Sequence, residues 1–282
     1  MGILYVVGTP IGNLQDLSPR ALRVLREATL VAAEDTRKTR TLFSRFDIHT
    51  PLTSYFEHNK LTKLDAILDA LQRGDVALVS EAGMPGLSDP GYELIRTTIH
   101  AGFPVVPIPG PAAAITALVV SGLPTDSFIF LGFLPRKAPE RRRVLQEVAN
   151  EHRTLVIYEA PHRLAGCLAD VQVVLGDRPI AVARELTKLH EEIYRGTVSG
   201  AREHSASGVR GEVTLVVGGA PEATITWDEE RVRRALKEML QNGTDRKEAV
   251  RRVARASDWP RRDVYRLMTE YAIRSVSGGD HD

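Results

Sequence analysis

Residues Val76 to Gly91 read VALVSEAGMPGLSDPG, and the fold turns on them. Val76 to Val79 predict a short strand buried on both faces, because four apolar β-formers run together without alternation. A dozen residues then follow in which glycine, proline and small polar side chains surround two acids, Glu81 and Asp89. A helical pattern restarts over Tyr92 to Ala101, with Gly102 placed to stop it. Strands that end in such loops before a helix are where open α/β sheets keep their ligands, since backbone amides can approach closely there. A bare βα connection is the plainer alternative, but connections inside compact domains are short, and this one is long enough to suggest a wall of a ligand site.

Outward from this stretch, similar runs recur at Ile3 to Val7, Leu30 to Ala33, Val105 to Ile108, Phe128 to Leu131, Leu155 to Tyr158, Ile180 to Ala183 and Val213 to Val217. Helical patterns separate them, which predicts α/β architecture. At 282 residues the chain is long for one core. Two breakers between Ser121 and Asp126 divide it into an N-terminal α/β domain, 1–122, and a second α/β domain, 123–221. From Asp228 the pattern is purely helical. Two short helices flanking Ser257-Asp258-Trp259-Pro260 predict a small helix-turn-helix-like module over 226–274, and 275–282 are expected to be a disordered tail.

Composition narrows the function classes. A net charge of +1 does not mark a general nucleic-acid binder, so any such role rests on local patches. Cys167 is the single cysteine, which rules out a disulfide framework and a cysteine-based metal site within one chain. The eight histidines lack metal-site spacing, so no metal is expected. Neither a leader pattern nor a membrane-length apolar run is evident, and a cytoplasmic protein with no membrane partner is expected.

The other strand ends carry the remaining chemistry. Gly8-Thr9-Pro10-Ile11-Gly12 follows the first strand without the spacing of a dinucleotide fingerprint or a P-loop. Glu34-Asp35-Thr36-Arg37 opens a helix bearing Arg37, Lys38 and Arg40, where acids serve equally as caps or as functional groups. Tyr55, Phe56, His58 and Asn59 sit in a loop of unassigned purpose. Pro109-Gly110-Pro111-Ala112 opens a helix of small residues, suited to close packing on a sheet or to exposing its first amides. Arg136, Lys137, Arg141, Arg142 and Arg143 form a basic cluster that fits a solvated face or an RNA contact. Arg246 to Arg266 hold eight Lys or Arg against three acids, a surface for RNA or simply the outer face of a packing module. No Gly-x-Ser-x-Gly elbow supports a hydrolase. A cleft between two α/β domains that binds a small cofactor is the chemistry these loops favour.

Taken in register, Gly8 to Leu14, Glu34 to Arg37, Ser80 to Gly91, Pro109 to Pro111, Gly132 to Pro135, Tyr158 to Arg163 and Arg184 to Lys188 closely resemble the bacterial small-subunit (16S) ribosomal RNA cytidine 2′-O-methyltransferase family, methyltransferase I, of the tetrapyrrole-methylase superfamily. The resemblance covers about residues 3 to 218, and the helical tail is similar to that family's C-terminal module. One departure stands out: the family usually has Asp where this chain has Glu81. The resemblance implies two tetrapyrrole-methylase-type α/β domains, S-adenosyl-L-methionine in the cleft between them, and a homodimer. It also implies cofactor contacts from Pro10, Glu81, Ala82, Gly83, Pro85, Ser88, Pro111, Ala112, Phe133, Tyr158 and Glu185.

The implied reaction is attack of a ribose 2′-hydroxyl on an activated methyl group, helped by a base or by a cation facing the developing alkoxide. Glu159, His162, Glu185 and Lys188 are the catalytic candidates by position, unranked among themselves and each equally an ion-pair or capping residue. Ribosomal RNA of the small subunit would be held through its phosphates by Arg37, Lys38, Arg40, Arg136, Lys137, Arg141, Arg142, Arg251, Arg252, Arg261 and Arg262. Two alternatives share the fold: a methylase of a small tetrapyrrole, and a non-catalytic RNA-binding protein.

Overall fold

The computed structural model describes residues 2–56, 60–221 and 227–277, so His58, Asn59 and the end of the expected tail lie outside the described residues. The first sheet orders its strands β3-β2-β4-β1-β5, all parallel: β1 (Leu4–Val7), β2 (Leu30–Ala33), β3 (Leu52–Ser54), β4 (Val76–Val79) and β5 (Val105–Ile108). Helices cover both of its faces. On one side Ala21, Val24 and Leu25 of α1 (Pro19–Glu27) and Phe43 of α2 (Thr36–Phe46) meet Val7, Val31 and Val79. On the other, Ile67 and Leu71 of α3 (Lys60–Arg73) and Leu94 of α4 (Tyr92–His100) meet Leu4, Val76 and Leu78. Local chemistry sets the helix starts: Ser18 Oγ accepts from the Ala21 amide ahead of Pro19, and Asp35 accepts from the amides of Arg37 and Lys38. Tyr55, from the loop of unassigned purpose, is a core residue whose hydroxyl accepts from the Leu94 amide.

The second sheet is mixed, ordered β6-β7-β10-β8-β9 from β6 (Phe128–Phe133), β7 (Thr154–Glu159), β8 (Pro179–Arg184), β9 (Glu192–Thr197) and β10 (Val213–Val217). Only β6 and β7 are parallel; β10 runs antiparallel to both β7 and β8, and β9 closes the edge antiparallel to β8. One face packs on α6 (Ala138–Glu147), α7 (Leu164–Leu175) and α8 (Val198–His204). The other face receives α5 (Ala113–Val120): Ala114, Ala117 and Leu118 lie against Val156, Ala181, Ala183 and Val216. The small side chains of α5 allow that close approach.

This seating of α5 corrects the expected boundary at 122. The helix precedes it in sequence but packs on the sheet that follows it, and Met1–Ala220 form one compact unit. The second unit, Pro221–Asp282, has its own core, in which Val232, Leu236, Val250, Val253, Leu267 and Met268 join α9 (Glu229–Gln241), α10 (Arg246–Ser257) and α11 (Arg261–Ser277). Asp258, at φ 56, ends α10. Residues 275–277, expected to be disordered, continue α11, because no helix breaker intervenes before Gly278. No helix among the described residues is long and apolar enough to cross a membrane.

Candidate functional site

The parallel sheet sends the loops after β1, β2, β4 and β5 off its C-terminal edge. Three of them are stitched together. The Thr9 amide donates to the Gly83 carbonyl at 2.9 Å and the Gly83 amide returns the bond to Thr9 at 3.1 Å. Gly8 and Gly110 pass so close that a Cβ on Gly8 would sit 2.7 Å from the Gly110 Cα, so both positions exclude a side chain. From the second sheet, β6, β7 and the loop before β10 face these loops across a cleft of about 360 Å³, within the range of small-molecule sites.

The cleft is apolar in its walls and acidic in its polar groups. Ile11, Met84, Leu87, Phe133 and Tyr158 line it, with the backbone-rich Ala82-Gly83 and Ala112-Ala113 segments. Phe133 and Tyr158 pack with ring centres 5.5 Å apart, and the Tyr158 hydroxyl accepts from the Ala114 amide at the start of α5. Glu34, Glu81, Asp89 and Glu212 also line it. Lys38 reaches Glu81, while the Glu81 amide donates to Glu34 Oε2 at 3.0 Å. Burial raises the Glu34 carboxyl above its ordinary value, against the lowering effect of Lys38. Burial, followed by the negative charge of Glu34, pushes Asp89 up to about 6, while a hydrogen bond from Ser80 opposes the shift.

Of the sequence candidates for the cofactor, Glu81, Ala82, Gly83, Ala112, Phe133 and Tyr158 come together in this lining. Pro10, Pro85, Ser88, Pro111 and Glu185 do not; Pro85 is buried, and Ser88 holds a left-handed turn at φ 64 behind Asp89. Among the catalytic candidates, Glu159 borders the cleft but its side chain turns into the core, only 2% exposed. There Glu159 Oε1 accepts from the Ala160 amide and lies 3.0 Å from Arg163 Nε, and the carboxylate faces Cys167, whose thiol is raised first by burial and then by that charge. A carboxylate enclosed in this way cannot meet a substrate hydroxyl, so its placement corrects the catalytic reading. His162 is exposed on the turn Pro161–Arg163 and outside the lining. Glu185 and Lys188 form an ion-pair cluster with Glu212, Lys188 Nζ lying 2.8 Å from Glu185 and 3.0 Å from Glu212. The hydrogen bond from Lys188 is the leading cause that lowers the Glu185 carboxyl.

Arg141 also moves from surface to interior. It is 6% exposed, and its guanidinium grips Asp170 at 2.5 Å while donating to the Arg136 carbonyl, so it is a core ion pair rather than a phosphate donor. Arg142 shares Asp170 at 2.6 Å from the surface. Arg37, Lys38, Arg40, Arg136 and Lys137 are exposed, as are Arg251, Arg252, Arg261 and Arg262 in the second unit, where Arg251 and Arg252 both pair with Glu248. Ile11, Glu34, Met84, Leu87 and Asp89 also line the cleft; they lie inside motifs singled out in the sequence but were not among its cofactor candidates, and Glu212, Val213 and Thr214 come from outside those motifs. Only the strand order brings them to one place.

Residues 3–201 match the model of the tetrapyrrole (corrin/porphyrin) methylases. This chain belongs to the tetrapyrrole methylase family. A relative from Synechocystis, named ribosomal RNA small subunit methyltransferase I, is 47% identical over 274 residues, covering 96% of this chain and 98% of its own. Another of that name, from Thermotoga maritima, is 47% identical over 221 residues, 78% of this chain and 99% of its own. Among solved tetrapyrrole methylases, a uroporphyrin-III C-methyltransferase from Thermus thermophilus, determined with S-adenyl homocysteine, superposes with a TM-score of 0.54 at 21% identity, covering 77% of this chain and 97% of its own. That likeness establishes the tetrapyrrole methylase fold. Among the described residues no group of three or more His, Cys, Asp or Glu could hold a metal ion.

Proposed function

We infer that this chain is an S-adenosylmethionine-dependent methyltransferase of small-subunit ribosomal RNA, and that it methylates the ribose 2′-hydroxyl of a cytidine. The observation that carries the RNA assignment is near full-length identity of 47% to a relative named for that substrate, whereas the tetrapyrrole-acting neighbour shares 21% and hence the fold alone. The cleft fits the cofactor's chemistry. Its sulfonium and ammonium groups are cationic, and the polar side chains that line the cleft are predominantly acidic. Ile11, Leu87 and Phe133 supply apolar walls that exclude water, and the Gly83 and Ala112 segments offer backbone donors and acceptors at close range.

When bound, the cofactor supplies a methyl group on an already activated leaving group, so the chain's main task is positioning. Glu34 and Glu81 hold each other and Lys38 in place at one wall, and Tyr158 fixes the start of α5 at the other. The exposed cations Arg37, Arg40, Arg136 and Lys137, with Arg251, Arg252, Arg261 and Arg262 of the second unit, serve as phosphate donors. A cytoplasmic homodimer completes the reading. The test is transfer of labelled methyl from S-adenosylmethionine to small ribosomal subunits that lack the modification, followed by mapping of the label. Label on a cytidine ribose is the expected result; label on a base, or none on subunits and free ribosomal RNA with cofactor binding intact, refutes it.

A further inference from the structure

We propose that Asp89 is the base that takes the proton from the ribose 2′-hydroxyl, an inference that rests on the ribose-methylation reading above. The cleft presents five carboxyl groups, and their surroundings sort them. Glu159 is enclosed beside Arg163, Glu81 is held by Lys38, and Glu212 is paired with Lys188. Glu34 is committed to the Glu81 amide through Oε2 and lies under the field of Lys38. Neither Asp89 nor Glu34 forms an ion pair among the described residues, and of the two only Asp89 has no lysine or arginine field lowering it and no backbone amide committed to it. The groups that face it are Glu34 at the end of β2, Ser80 at the end of β4, Tyr158 on β7 and Glu212 ahead of β10.

Its backbone is prepared for a fixed orientation. Ser88 is held at φ 64, and a Cβ added to Gly132 would sit 2.9 Å from Ser88 Oγ, so the turn that aims Asp89 is wedged against β6. A carboxylate neutralised by lysine or arginine is a poor base; one that is half-buried among like charges holds a proton more tightly, near the working pH, which is what proton transfer from a hydroxyl needs. The balance is simple. The O–H proton passes to an Asp89 carboxylate oxygen, the oxygen forms a bond to the methyl carbon, the carbon–sulfur bond breaks with its electron pair on sulfur, and neutral S-adenosylhomocysteine remains. Asp89 then returns the proton to water.

Three measurements on the full chain test this. Asp89→Asn is expected to keep S-adenosylhomocysteine affinity within about threefold by calorimetry while single-turnover methyl transfer falls by roughly 100- to 10,000-fold. The wild-type rate should decline tenfold per pH unit on the acid side of a midpoint near 6, and Asp89→Asn should lose that limb. Glu34→Gln, which removes the like charge with the larger effect on Asp89, should move the wild-type midpoint to lower pH. If Asp89→Asn weakens S-adenosylhomocysteine as much as it slows transfer, Asp89 holds the cofactor and the proposal is wrong. A retained acid limb in Asp89→Asn, or an unmoved midpoint in Glu34→Gln, also overturns it. Absence of ribose label with the wild-type protein refutes the ribose reading itself, and with it any hydroxyl-proton acceptor, an outcome distinct from ribose label accompanied by normal kinetics in the variant.

Discussion

Replacing Arg141 by alanine separates two roles that its sequence neighbourhood confuses. The side chain is 8% exposed and its partner Asp170 3%, so removal leaves a carboxylate buried with half its compensation gone. Breaking a buried pair by deleting one partner costs about 3–5 kcal/mol. Arg142 still holds the other oxygen of Asp170 at 2.6 Å, which places the expected loss near the lower end, about 3 kcal/mol. For a unit of this size that lowers the melting temperature by roughly 6–12 °C. Arg142→Ala is the paired control: that side chain is 53% exposed, and its removal costs about 1 kcal/mol or less. Thermal and urea unfolding of both variants measure stability, and the dependence of ribosomal RNA affinity on salt measures phosphate contacts. Arg141→Ala should unfold early and keep the wild-type salt slope. A variant with wild-type melting and a slope reduced by about one would put Arg141 on RNA and refute the reasoning.

Three further outcomes are expected. Asp89 binds its proton more tightly folded than unfolded, so its carboxyl favours the folded state fully below its ordinary value of 3.8, and that benefit is lost as pH rises through about 6; Asp89→Asn should therefore melt above wild type at pH 7.5, with the gap closing near pH 4 in pH-stepped calorimetry. Gly8→Ala places a methyl 2.6 Å from Met84 Sδ and 2.7 Å from the Gly110 Cα, and should weaken S-adenosylhomocysteine binding by at least tenfold, in line with the roughly 1–3 kcal/mol of overpacking, as read by calorimetry. A chain ending at Pro221 keeps the whole first compact unit, matches the 221-residue extent shared with the Thermotoga relative, and should retain cofactor binding while its RNA affinity loses much of its salt dependence.

How far the sequence carried this picture varies by element. Eight of the ten described strands were legible because their apolar residues run on without alternation. Two of the four edge strands were not: β3 is three half-buried residues, and Glu192-Ile193-Tyr194-Arg195-Gly196-Thr197 is polar, since an edge strand has little core to face. Glu81, Ala82, Gly83, Phe133 and Tyr158 were legible through the family motifs; Glu34 stood in such a motif as a cap or a functional acid, and only strand order, which no local pattern encodes, brings it and Glu212 to the same cleft. Arg141 and Arg142 are neighbours of the same type, and only the position of Asp170 on α7, 29 residues on from Arg141, decides that one is interior and the other not.

The position of α5 bears on how the cleft can open. Because the helix is translated with the first sheet's strands but forms part of the second sheet's core, the halves are interlocked, not hinged at Ser121 to Asp126. Severing the chain there would strip the second sheet of the cover over Val156 and Val216, and exchanging either half for that of a distant relative would bring mismatched surfaces together. The chain crosses from the first sheet to the second sheet's cover at 109–112, between β5 and α5. Recombination within this family should tolerate crossovers ahead of Pro109 and penalise those at 122.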